Sequence, residues 1–189
     1  MRFESTKPYF ENSDVVFCNV EGTFTDSKIG AKNCNDPKTC FTFGMPQKYA
    51  KCFKDAGFNL VSVANNHSGD FGEYGKSNAK RLLDSLEINW AGFTEKPFAK
   101  FSINGVKYGF CAFAPNQGTV QITDHENACN IVKELKKDCD IVIVSFHGGA
   151  EGAIYQHITR QYETFLGQNR GNVYKFALGI LPPPAATLP

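Results

Sequence analysis

Three places in the 189-residue sequence put residues capable of acid, base or metal chemistry directly after a short apolar run. Glu21 follows Asp14 to Val20, with Gly22 beside it. Asn66 and His67 follow Leu60 to Ala64, with Ser68, Gly69 and Asp70 after them. His147 follows Asp140 to Phe146, with Gly148, Gly149 and Glu151 next in line. Apolar, β-branched runs of this length read as strands, whereas Asn, Gly and Asp turn a chain rather than extend it. In open sheets with helices on their faces, ligands bind beyond the carboxyl ends of the strands. Parallel neighbours would bring the three ends to one rim. A carboxylate, an amide oxygen and an imidazole then form a mixed O/N donor set suited to Mn, Fe, Zn or Co, and the absence of thiolate argues against a closed structural zinc. Each residue also has a plainer reading: Asn66 to Asp70 as a turn that caps the next helix, Glu21 as a solvated charge, His147 as a satisfied core histidine. The threefold recurrence of one arrangement favours a site.

Holding three such ends requires strands alternating with crossover helices, and the sequence supplies them. Gly44-Met45-Pro46 opens a helix that Gly57 closes, with Tyr49, Cys52, Phe53 and Ala56 at i, i+3, i+4 and i+7. Ala79, Leu82, Leu83 and Leu86 repeat the spacing in a helix from about Tyr74 to Leu86, as do Ala128, Ile131, Val132 and Leu135 in one from Glu126 to Lys137. Asn89 to Gly92 is a short strand with Trp90 in the core. Phe98 to Phe113 has a different character, two apolar runs flanking Asn104-Gly105, so this piece is an antiparallel hairpin and the sheet is mixed or there are two. Asp140 to Phe146 is a continuous apolar run of the kind buried on both faces. Ile158, Tyr162, Phe165 and Leu166 predict a further helix, and Asn172 to Ala177 the start of another. Residues 25–43 read as a long polar loop. Leu178 to Pro189 carries no charge and four prolines, so no helix or central strand is expected through it. The expectation is one domain over 1–177 and an aberrant Pro-rich tail over 178–189.

Composition narrows the classes. At 42% hydrophobic and 21% charged the chain is an ordinary soluble globular protein able to bury a core. A formal charge of +1, evenly scattered, offers no basic stripe for nucleic acid and no polybasic patch for a membrane. The apolar runs fall short of the roughly 20 residues of a spanning helix, and Met1 to Lys7 lacks the apolar core of a signal peptide, so the chain as written reads as soluble and cytoplasmic. Seven cysteines, with no Cys-x-x-Cys pair, mostly sit inside apolar patterns as small hydrophobes. Cys34 and Cys40 share a loop where a disulfide would form under oxidising conditions, and both are read as reduced.

Asn19-Val20-Glu21-Gly22, Ala64-Asn65-Asn66-His67 with Asp70 and Gly72, and His147-Gly148-Gly149 with Glu151 resemble, in order, the CapA-like capsule-synthesis (poly-γ-glutamate biosynthesis) family of the calcineurin-like metallophosphoesterase superfamily. The Asn-Asn-His loop is similar to that superfamily's Gly-Asn-His motif, with Asn65 in the Gly position. The resemblance implies a four-layer α/β sandwich, mixed sheets with helices outside. It implies metal ligands at Glu21, Asn66 and His147, with Glu21 in the place of the residue that bridges two metals, and His67 as the acid beside the leaving group. Asp70 would then orient His67, and Glu151 would steady His147 from behind. Two motifs of the superfamily are not found: an N-terminal strand ending in acidic and His ligands, and a late Gly-x-His-x-His segment. The chain is therefore expected to be an incomplete member, with an apolar face exposed where the missing elements would dock and a tendency to self-associate.

The implied function is metal-dependent hydrolysis of a phosphoester in a phosphorylated small molecule or envelope precursor, using divalent ions (Mn, Fe, Zn or Co), two of them in a complete homologue. The missing ligands predict an activity that is crippled. The alternatives are a non-catalytic component of envelope-polymer assembly that keeps the fold, and a fragment whose polar motifs are relics. Family members are often envelope-associated.

Overall fold

The computed structural model describes residues 3, 5–34 and 40–180. Its elements are β1 (Phe17–Asn19), β2 (Thr23–Phe24), β3 (Gly44–Met45), α1 (Ala50–Asp55), β4 (Leu60–Ser62), α2 (Gly72–Ser85), β5 (Asn89–Ala91), β6 (Phe98–Ile103), β7 (Val106–Phe113), α3 (His125–Leu135), β8 (Ile141–Phe146), β9 (Glu163–Phe165), β10 (Gln168–Gly171) and α4 (Val173–Ile180). β1, β4 and β5 form a parallel sheet in that order, while β6, β7 and β8 form a mixed one, antiparallel then parallel.

The two-residue period of the central strands stacks these sheets. On β7, Phe110 and Ala112 face Leu60, Ala64 and Ala91 between the sheets, while Cys111 and Phe113 face Leu135 and Phe176 of α3 and α4. On β4, Leu60 points to the inter-sheet layer and Val61 to a third cluster with Phe53, Leu83 and Trp90. The order is helices, sheet, sheet, helices, which is the expected four-layer α/β sandwich. Alanines at 64, 91, 112 and 114 line the middle layer, and their small volume lets the sheets approach.

The hairpin at Asn104-Gly105 has both residues at positive φ, 51° and 84°, the conformation an Asn-Gly turn favours. Asp124 caps α3 by accepting from the Asn127 N–H at 3.0 Å. Asp124→Ala is expected to cost about 1 kcal/mol, read as a lower urea midpoint at unchanged m-value.

Five expectations are corrected. Gly44 and Met45 do not open a helix: they pair in parallel with Thr23 and Phe24, and α1 starts at Ala50, leaving Tyr49 38% exposed. Residues 158–166 are not helical but lead into the β9–β10 hairpin, turned at Leu166 and Gly167 with φ of 49° and 78°. β8 is not buried on both faces: among the described residues it is the edge strand of its sheet, with Ile141 45% and Phe146 39% exposed. Cys34 and Cys40 are joined by a disulfide, Cα atoms 5.5 Å apart. α4 runs through Leu178 to a buried Ile180, and the rest of the Pro-rich tail, 181–189, lies outside the described residues.

Candidate functional site

β1 and β4 run side by side, so Glu21 and Asn66 leave the same edge of one sheet. Asn65, fully buried, ties the two exits together. Its Nδ2 donates to the Val20 carbonyl at 2.8 Å, and its Oδ1 accepts from the Gly22 N–H at 3.3 Å and the His67 N–H at 3.1 Å, gripping the chain on both sides of Glu21. Gly22 has φ 109°, and a Cβ there would collide with the Phe43 carbonyl, so only glycine fits beside Glu21. From the second sheet, β8 delivers His147, whose N–H donates to the Phe113 carbonyl at 2.9 Å. Gly148 follows because a Cβ there would meet Ile122 and the Arg170 carbonyl.

Asn66, His67, Asn116, Glu151 and Arg170 share the wall of a cleft of about 440 Å³. Asn66 Nδ2 donates to Glu151 Oε1 at 3.2 Å. The same Oε1 accepts from the Arg170 guanidinium at 2.6 Å, and Arg170 Nε donates to the Gly149 carbonyl at 2.9 Å. Glu151 therefore holds Asn66 and Arg170, where the sequence reading had it steady His147. His147 does lie within electrostatic reach of this group. Burial pulls its imidazole below its ordinary pKa, Glu21 opposes that shift, and the charges of Arg170, Glu151 and His67 act on it too. A neutral imidazole is the form that ligates metal.

His67 is placed for a different job. Its Nδ1 lies 2.7 Å from Asp70 Oδ2, and its ring stacks on Phe43 at 3.8 Å between centroids. Asp70 is 1% exposed and also receives the Phe43 N–H at 2.8 Å and Lys32 Nζ at 2.6 Å. The long loop thus reaches back to the site through Lys32 and Phe43. Nucleophilic chemistry at Cys18 and Cys111 is disfavoured, since burial pushes both thiols up to about 12.

Arg170, 3% exposed, was not anticipated from sequence, because it lies beyond a segment that read as helix. The available signal was Gly167 between two polar, alternating stretches. Asn116, just past β7, was missed as well, and no motif marks it.

Four buried polar side-chain atoms among the described residues lack a partner, and two of them, Asn66 Oδ1 and Asn116 Oδ1, belong to residues lining the cleft. An unmet buried acceptor costs about 1–3 kcal/mol, so a partner from outside the protein is expected at Asn66. The Asn66 oxygen, the half-buried His147 ring and the exposed Glu21 carboxylate are donors of the types that a divalent ion with oxygen and nitrogen ligands takes. No group of three or more His, Cys, Asp or Glu suited to a metal occurs among the described residues, so the set depends on the Asn66 amide. Nor is any helix among them long and apolar enough to cross a membrane.

The sequence model of the family described as "Bacterial capsule synthesis protein PGA_cap" matches residues 2–169. The PGA biosynthesis protein CapA of Bacillus subtilis (strain 168) is 28% identical over 165 residues, covering 79% of this chain and 42% of that protein. The capsule biosynthesis protein CapA of Bacillus anthracis is 24% identical over 169 residues, covering 79% and 40%. The chain thus spans about two fifths of the length of these curated relatives. Among solved structures, one from Staphylococcus aureus described as a 5′-nucleotidase, in complex with α-ketoglutarate, superposes with TM-score 0.44 at 17% identity over 69% of this chain and 28% of that one. The NAD nucleotidase NadN of Haemophilus influenzae gives TM-score 0.38 at 17% identity over 55% and 22%.

Proposed function

The chain belongs to the bacterial capsule synthesis protein family PGA_cap, and from that premise we propose that it hydrolyses a phosphoester with the help of a divalent metal during assembly of a capsule polymer of the poly-γ-glutamate kind. The observation that carries this reading is the Asn66 amide: its nitrogen is tied to Glu151 while its buried oxygen is left without a donor. Glu21, Asn66 and His147 would hold the ion. What it supplies when bound is Lewis acidity toward a phosphoryl oxygen and a water of lowered pKa.

The chain's own residues do the rest. Asp70 fixes the His67 ring through Nδ1, and Phe43 fixes its plane, which leaves Nε2 as the atom that hands a proton to the leaving oxygen as its bond to phosphorus breaks. Arg170 and Glu151 keep Asn66 from turning. The substrate class is a phosphorylated small molecule or envelope precursor able to enter a cleft of about 440 Å³.

The test is an assay of the 189-residue chain on p-nitrophenyl phosphate with added Mn. Slow turnover is expected, because three protein donors are few for a catalytic centre. It should vanish with EDTA and in His147→Ala. Turnover that survives both would defeat the metal reading. Mn bound with no turnover on any phosphoester would favour a non-catalytic role in polymer assembly, a reading that the small donor set supports.

A further inference from the structure

We propose that Asn116 supplies a further oxygen to the ion assigned to Glu21, Asn66 and His147, so that four strand ends rather than three build the centre. The inference rests on the metal reading above and deepens it. Asn116 stands three residues beyond the end of β7, the strand that pairs in parallel with β8, so it leaves the second sheet on the same side as His147. Its backbone is pinned: the Asn116 carbonyl accepts from Thr119 Oγ1 at 2.6 Å, from Gln121 Nε2 at 2.7 Å and from the Thr119 N–H at 3.1 Å.

The orientation of the side chain follows from its one bond. Asn116 Nδ2 donates to the Asn66 carbonyl at 3.4 Å, and the flipped amide would set oxygen against oxygen. The Oδ1 is therefore turned away from that carbonyl, and it is buried without a donor. Asn66 is fixed by the same logic, with Nδ2 on Glu151 and Oδ1 unmet. Two bare amide oxygens thus occur on residues joined by a hydrogen bond. Both residues line the cleft of about 440 Å³ and the adjoining one of about 750 Å³. Lys32, the cation common to both clefts, already places its Nζ on Asp70 at 2.6 Å.

A divalent ion answers this arrangement. Amide oxygens are hard, neutral ligands of the kind Mn accepts, and three donors fall short of the four or more such ions take. Among the described residues, Asn116 Oδ1 is, after Asn66 Oδ1, the other buried side-chain oxygen without a partner.

Mn affinity of the full chain, measured by calorimetry and by loss of the free-ion electron paramagnetic resonance signal, tests the proposal. Asn116→Leu removes both the oxygen and the Nδ2 donor, and is expected to weaken Mn binding roughly 10- to 100-fold. Asn116→Asp keeps an oxygen and loses only the donor to Asn66, and is expected to bind Mn at least as tightly as the parent. Equal weakening in both variants would assign Asn116 a purely structural role through Nδ2 and overturn the proposal. No weakening in Asn116→Leu would also overturn it, while leaving the Glu21, Asn66 and His147 reading intact. Failure of the parent itself to bind Mn would overturn both. Should Asn116→Leu misfold by near-ultraviolet circular dichroism, Asn116→Asp alone still decides, since a weaker affinity there contradicts the oxygen's role.

Discussion

His67→Gln is expected to lower kcat for Mn-dependent phosphoester hydrolysis by roughly 10²- to 10⁴-fold while leaving Mn affinity unchanged. The expectation comes from what the ring touches. Nδ1 is engaged by Asp70 at 2.7 Å, a face is covered by Phe43, and the residue lines the cleft beside Asn66. An imidazole held this way has one free nitrogen, Nε2, and a fixed direction in which to offer its proton. Glutamine preserves much of the volume and can still donate to Asp70, but it cannot give up a proton at neutral pH. A fall in Mn affinity, measured directly, would instead make His67 a ligand. Asp70→Asn should produce a smaller loss of kcat with the same Mn affinity, because it disturbs the ring's orientation and leaves Nε2 in place. A second readout needs no turnover: the proton shared by His67 Nδ1 and Asp70 should give a downfield nuclear magnetic resonance line that both substitutions abolish.

The strands that end before the candidate site residues were legible because their signals are local. Apolar runs ended by Gly and a polar group locate Glu21, Asn66 and His147, and the Asn104-Gly105 turn fixes the antiparallel pair from two residues. What failed depends on distant partners. Ile141 to Phe146 reads as a strand covered on both sides, yet nothing in those six residues tells whether a neighbour pairs beyond it, and among the described residues β8 proves to be an edge. Gly44 and Met45 follow helix-opening rules, and pairing with Thr23 and Phe24, far upstream in the sequence, overrides them. Glu151 has an obvious neighbour in sequence, His147, but its bonds go to Arg170 and to Asn66, 85 residues away. Arg170 was hidden by the helical spacing of Ile158, Tyr162 and Leu166, all of which are exposed. Asn116 shows the limit most plainly, since an asparagine after a strand is ordinary until its oxygen is seen to lack a donor.

Asn65→Ala should destabilise the fold by about 3–4 kcal/mol and weaken Mn binding together, because one buried amide serves both purposes. Asn65 is 0% exposed and makes side-chain bonds with the Gly22 N–H, the His67 N–H, the Val20 carbonyl and Asn19 Oδ1. Alanine leaves two backbone donors and a backbone acceptor without partners beside the core. Each unmet group costs about 1–3 kcal/mol, and partial relaxation or an entering water reduces the sum. Against a total stability of about 5–15 kcal/mol for a domain, the loss should appear as a large drop in the urea midpoint at unchanged m-value. Metal affinity falls for a geometric reason. Glu21 sits between the two residues that Asn65 grips and Asn66 follows it directly, so without the amide the ends of β1 and β4 are no longer locked in register. Glu21→Gln separates the two effects: it should weaken Mn binding with little change in midpoint, since the carboxylate is exposed. If Asn65→Ala costs less than about 1 kcal/mol, which is what a single neutral hydrogen bond is worth, the strand ends are held by other contacts and the lock assigned to Asn65 is wrong.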